Sequence, residues 1–192
     1  MRLARGVWLL GLLFLDACSL FKPVPPPAVA VGVGPLRAFH LEGRISLKTE
    51  TQSFAGGIGW LHRDDDDEIL LSTPLGQGVA ELRGSRGGVV LTDGEGRQYQ
   101  AADAETLLEQ HLGVRLPLRG LLYWLDARPR PDSPYGVEAD RDGRVGALTQ
   151  DGWRIDYGRY ARQGERWLPG KLFASHGEGV EFRLVVDNWQ VP

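Results

Sequence analysis

Residues 39–48 read FHLEGRISLK, and the alternation in them decides the class of fold. Phe39, Leu41, Ile45 and Leu47 fall on one face of an extended chain, and His40, Glu42, Arg44, Ser46 and Lys48 fall on the other. A period of two marks a strand with one side in a core and the other in water, which is the habit of antiparallel sheets.

Outward from this strand the rhythm continues. After a polar turn near Glu50 and Thr51, Phe54, Ile58 and Trp60 alternate with small residues. The acidic run from Asp64 to Glu68 then turns the chain into a third strand ending near Ser72. Further strands are expected over 79–83, 88–92, 97–100, 144–149, 153–157, 171–175 and 180–186, divided by turn pairs such as Asp93-Gly94, Asp142-Gly143 and Asp151-Gly152. Only the middle breaks the pattern. Asp103 can cap a helix reaching about Leu112, with Leu107, Leu108, His111 and Leu112 on one face. Pro117 can open a second, with Leu118, Leu121, Leu122 and Leu125 at i, i+3, i+4 and i+7. A sheet of about ten twisted strands curls, and helices with one apolar stripe cover its concave side. The expectation is a mainly β (α+β) domain: an open, incomplete antiparallel β-barrel with a helical lid. Alternation alone leaves open whether that interior holds a ligand or is packed solid.

The amino-terminal residues speak of compartment. Arg2 and Arg5 precede an apolar run over 7–15, about half the roughly 20 residues that span a bilayer, and Ala17 stands directly before Cys18, the chain's single cysteine. Leu15, Ala17 and Cys18 match the bacterial lipobox, and Asp16 departs from it. Residues 1–17 are therefore expected to be a lipoprotein signal peptide. Cys18 is the expected lipid-attachment site, because a lone cysteine in an exported protein has no disulfide partner. Ser19 in the following position fits outer-membrane sorting. Residues 18–36, rich in Pro and small residues, read as a linker, and 37–192 as one domain large enough for a single core.

The net charge of −3 at pH 7 and the lack of any basic block argue against nucleic acid as a partner. His40, His62, His111 and His176 are spaced without a metal-ligand pattern. The run 64–68 lacks the glycine and the alternating oxygens of a calcium loop. No nucleophile has a nameable base and no glycine loop cradles a phosphate, so neither an enzyme nor a cofactor is expected. What stands out is Ser72-Thr73-Pro74-Leu75-Gly76-Gln77-Gly78, a turn with a bulky apolar residue at its tip. Leu75 either folds back onto the core or is displayed to water for contact with lipid. Burial of one leucine, worth about 1.5 to 3 kcal/mol, suits a reversible touch rather than an anchor.

Taken in order, Gly43-Arg44-Ile45-Ser46, the stretch from Phe54 to Trp60, Thr73-Pro74-Leu75-Gly76, Tyr99 with Ala102-Asp103-Ala104-Glu105, Leu116-Pro117-Leu118, Gln150-Asp151-Gly152-Trp153, Leu168-Pro169 and Asp187-Asn188-Trp189 resemble the LolB family of outer-membrane lipoprotein receptors. The resemblance implies an open, incomplete antiparallel β-barrel with a helical lid over a hydrophobic cavity, and a monomer anchored in the outer membrane and facing the periplasm. It also implies receipt of lipoproteins from the periplasmic carrier LolA, with their acyl chains held in the cavity. Pro74, Leu75 and Gly76 would form the loop that touches outer-membrane lipid. Cavity-lining candidates are Leu41, Ile45, Ile58, Trp60, Ile155, Phe182 and Leu184 from the sheet, with Leu121, Trp124 and Leu125 from the lid. The alternative is a structural envelope lipoprotein with a filled barrel, or a glycolipid-binding carrier-type lipoprotein.

Overall fold

The structure, a computed structural model, describes residues 35–112, 116–177 and 179–192. The expected signal peptide, Cys18 and nearly all of the linker lie outside the described residues. β1 (Ala38–Lys48), β2 (Ser53–Arg63), β3 (Asp66–Ser72), β4 (Gly78–Ser85), β5 (Gly88–Asp93) and β6 (Gln98–Ala101) form a meander. Two helices follow, α1 (Ala104–Leu112) and α2 (Leu118–Trp124). The chain then returns through β7 (Tyr135–Ala139), β8 (Val145–Gln150) and β9 (Trp153–Gly158), the small hairpin β10 (Ala161–Gln163) and β11 (Arg166–Leu168), and finally β12 (Lys171–His176) and β13 (Val180–Gln190).

Eleven strands make one antiparallel sheet in the order β6-β5-β4-β3-β2-β1-β13-β12-β9-β8-β7, and β10 and β11 pair separately. The two border strands, β6 and β7, do not pair with each other, so the sheet is not closed. β1 lies near its centre, paired along its whole length with β2, from Ala38 opposite Arg63 to Lys48 opposite Ser53. Phe39, Leu41 and Leu47 are buried, and Ile45 packs half-buried against them, as the alternation requires.

Six strands precede the helices as expected, but seven follow rather than four. β7 has one half-buried apolar side chain, Val137, and exposes the others, so it carries no alternation to read. β10 and β11 are three residues each, too short to show any period. Both helices start directly after the residues expected to open them, Asp103 and Pro117. Asp103 accepts the Thr106 backbone N–H at 2.8 Å and its hydroxyl at 2.9 Å, which satisfies an orphan donor of the first turn. Among the described residues no helix is long and apolar enough to cross a membrane.

The two ends of the sheet differ. Turns 49–52, 73–77, 94–97 and 151–152 gather at one end. Turns 64–65, 86–87 and 140–144 lie at the other, where the chain also enters and leaves. At this terminal end Leu36 and Val191 pack on the core, and Asp64 N donates to Arg37 O at 2.7 Å. The core here is solid. Phe39 meets Trp60 and Trp189 edge-on, with ring centroids 5.6 and 5.5 Å away. Buried His62 stacks on Phe39 and meets Asp67 through Nδ1 at 2.9 Å. The same carboxylate oxygen accepts from Trp60 Nε1 at 2.7 Å, so Asp67, at the start of β3, satisfies the polar atoms of the core beside it.

Candidate functional site

Above the aromatic plug the concave face is hollow. A pocket of about 380 Å³ is lined by Ile45, Leu47, Phe54, Ile58 and Trp60 of β1 and β2, and by Ile69, Leu71, Leu82 and Leu91 of the next three strands. Leu118, Leu121 and Trp124 of α2, together with Leu108, Trp153 and Phe182, complete its walls. Among the described residues no charged side chain lines it, and its polar lining residues are Thr49 and Gln52 in the turn joining β1 to β2 and Ser53 at the start of β2. The hollow thus reaches the end of the sheet opposite the chain termini.

Six of the ten expected lining residues stand on its wall: Ile45, Ile58, Trp60, Leu121, Trp124 and Phe182. Leu41, Leu125, Ile155 and Leu184 do not; all four are buried in the solid part of the core. Their position on the inner face is as read, but alternation reports which side of a sheet a residue faces and not where across the sheet the hollow lies. Leu41 sits opposite Trp60, Leu184 opposite Ile45 and Ile155 opposite Ala174, so each of the three is level with a residue on the wall and is itself covered by its neighbours. Leu47, Phe54, Leu71, Leu82, Leu91 and Trp153 line the pocket without having been singled out. Leu47 shares the parity of Ile45, and that signal was sufficient to find it.

The wall formed by α2 is held from behind by a buried amide. Gln150, 2% exposed at the end of β8, accepts through Oε1 from Trp124 Nε1 at 3.0 Å and from Arg130 N at 2.8 Å. Its Nε2 donates to Arg130 O at 2.8 Å and to Ser133 O at 3.3 Å. Gly120 makes room for the indole: a Cβ at that position would lie 2.9 Å from the Trp124 ring. One residue beyond Leu125, the buried Asp126 is paired with Arg166 at 3.5 Å. Burial raises its carboxyl to about 6, with Arg166 and Arg128 pulling the other way. Burial likewise raises the nearby Tyr157 hydroxyl well above its usual value. Tyr160 donates to Val145 O at 2.6 Å, and its ring, with that of Trp167, stacks on the Arg144 guanidinium.

At the open end of the sheet stands the leucine turn. Gly76 N donates to Thr73 O at 2.9 Å, Thr73 N to Gln77 O at 2.8 Å, and Gln77 N to Thr73 Oγ1 at 3.2 Å. Pro74 occupies the second turn position and Gly76 takes a φ of +84°, a conformation glycine adopts without a Cβ penalty. These bonds hold Leu75 outward, 91% exposed. The reading in which it folds back onto the core is thereby overturned.

The family model described as "Outer membrane lipoprotein LolB" matches residues 37–189. An outer-membrane lipoprotein LolB of Pseudomonas paraeruginosa is 44% identical over 156 residues, covering 81% of this chain and 75% of its own. One of Thiobacillus denitrificans is 41% identical over 188 residues, covering 98% of this chain and 95% of its own. Among solved structures, a LolA-superfamily protein of Nitrosomonas europaea superposes with a TM-score of 0.53 at 11% identity, over 86% of this chain and 90% of that one. A putative outer membrane lipoprotein-sorting protein domain of Vibrio parahaemolyticus gives a TM-score of 0.51 at 9% identity, over 80% and 85%. The two structural likenesses bear on the fold alone, whereas sequence identity at this level and coverage settles descent: the chain belongs to the outer-membrane lipoprotein LolB family.

Proposed function

We propose that this outer-membrane lipoprotein receives acylated proteins from a periplasmic carrier of the LolA type and sets them into the outer membrane. The observation that carries the proposal is a pocket whose described lining bears no charge and which reaches the same end of the sheet as a 91% exposed leucine. A fatty chain of about sixteen carbons, at roughly 0.8 kcal/mol per methylene, costs on the order of 12 kcal/mol to expose to water. Transfer therefore needs a covered route. An apolar wall without ion pairs accepts any acyl chain and takes no notice of the protein attached to it. In this reading α1 and α2 act as the lid over the bound chains, and Cys18 carries the acyl groups that tether the receiver. Direction follows from the difference in affinity between carrier and receiver, with no cofactor and no nucleotide consumed at this step. The domain works as a monomer.

The test is transfer of a fluorescent triacylated lipoprotein from its loaded carrier, through the purified domain, to liposomes. Leu75→Glu is expected to take up cargo normally and to slow delivery by tenfold or more. Delivery by that variant at the full rate would remove the loop from the mechanism.

A further inference from the structure

We infer that the folded domain turns over on its tether between receiving cargo and delivering it. The inference rests on the reading of function above and on strand directions that place the pocket mouth and the tether at opposite ends of the sheet. Ser72, where the leucine turn begins, lies opposite Gly57, which lies opposite Arg44. The turn therefore starts level with a point eight residues along the chain from Leu36, the first residue packed on the core. At about 3.3 Å per residue this is roughly 26 Å, and the projection of the turn brings Leu75 about 30 Å from the tethered end.

One mouth cannot face two ways. When the terminal end rests near the membrane, the pocket opens toward the periplasm, where a carrier arrives. When Leu75 touches the bilayer, Leu36 stands about 30 Å above it, and the tether must climb that distance. Eighteen residue steps separate Cys18 from Leu36; fully extended they reach about 60 Å, twice what is needed. The length of the tether, more than its sequence, is what permits delivery into the membrane that holds the anchor.

The experiment uses the full lipidated chain in phosphatidylethanolamine/phosphatidylglycerol vesicles, loaded with a fluorescent triacylated lipopeptide. A quencher lipid is placed either in these host vesicles or in a second population without protein. Deletion of residues 21–35 leaves three residue steps, about 10 Å. This form is expected to lose delivery to its host vesicle by at least tenfold while still supplying the second population, toward which its mouth points. Deletion of residues 28–31, or exchange of 21–35 for a Gly/Ser segment of equal length, is expected to behave as the parent chain. Delivery to the host by the 21–35 deletion at the parent rate overturns the inversion, and so does its failure toward both populations while the parent succeeds. Failure of the parent chain itself to deliver to either population overturns the functional reading, and the inversion with it.

Discussion

Replacing Gln150 by leucine would show what a single amide contributes to the wall of the pocket. The side chains are similar in volume, so the loss is one of hydrogen bonds rather than of packing. Four backbone or ring groups lose their partner: Trp124 Nε1, Arg130 N, Arg130 O and, at a longer 3.3 Å, Ser133 O. A buried group left unsatisfied costs about 1 to 3 kcal/mol. Water can reach part of the loop around Arg130, but it has little access to the buried indole of Trp124. Gln150→Leu is therefore expected to destabilise the domain by about 3 to 4 kcal/mol, a large share of the 5 to 15 kcal/mol typical of a domain. In urea, with a slope near 2 kcal/mol/M, the midpoint should fall by about 2 M at constant slope. Trp124→Phe removes one side of the same bond, and the double variant should show a coupling energy of about 1 kcal/mol or more. A loss below 1 kcal/mol for Gln150→Leu, or full additivity in the cycle, would refute the assignment of Gln150 as the pin of α2.

Other outcomes follow from the same geometry. Asp126 has its folded carboxyl raised from 3.8 to about 6. As pH rises the unfolded chain therefore releases this proton near pH 4 and the folded chain only near pH 6, so stability falls across that window and stays at the lower level above it. The drop amounts to at most about 3 kcal/mol, and Asp126→Asn should remove it from a series of melting curves at pH 4 to 7; parallel curves for the two proteins would count against it. Gly120→Ala forces the Trp124 ring to move, and should cost about 1 to 2 kcal/mol after the gain in helix propensity, with an altered near-ultraviolet spectrum. Gly76→Ala places a Cβ at a φ of +84° and should cost about 1 to 2 kcal/mol in thermal unfolding. Leu75→Glu, in contrast, should change stability by less than about 0.5 kcal/mol, since the side chain is in water either way.

Where the fold is made by long strands with one wet face, the residues announce it. FHLEGRISLK reads directly as β1, and Asp103 and Pro117 mark the two helix starts. Short edge strands and the β10–β11 hairpin carry too few residues for a period to emerge, so β7, β10 and β11 stayed silent. For the site, parity brought Ile45, Ile58, Trp60 and Phe182 to the inner face and equally brought Leu41 and Leu184, which pair directly with Trp60 and Ile45. Which inner side chains border the hollow depends on packing across the strands and against α2, which no single strand's pattern reveals. Gln150 and Asp126 were invisible for another reason. A polar residue declares itself buried only through partners far off in sequence, here Trp124 and Arg166. Leu75 was conspicuous, but its direction was decided by the hydrogen bonds of Thr73 and the positive φ of Gly76.

An unclosed sheet leaves two free borders, and both are kept poor as templates for a neighbour. β6 offers four residues and has α1 packed beside it. β7 offers five, interrupted by Gly136 and carrying Glu138, whose carboxylate is held by Arg154 at 2.8 Å. Borders so short, one flanked by a helix and the other carrying an ion pair, resist edge-to-edge stacking between copies. A sheet that stays unclosed is thereby spared the aggregation that its open architecture would otherwise invite.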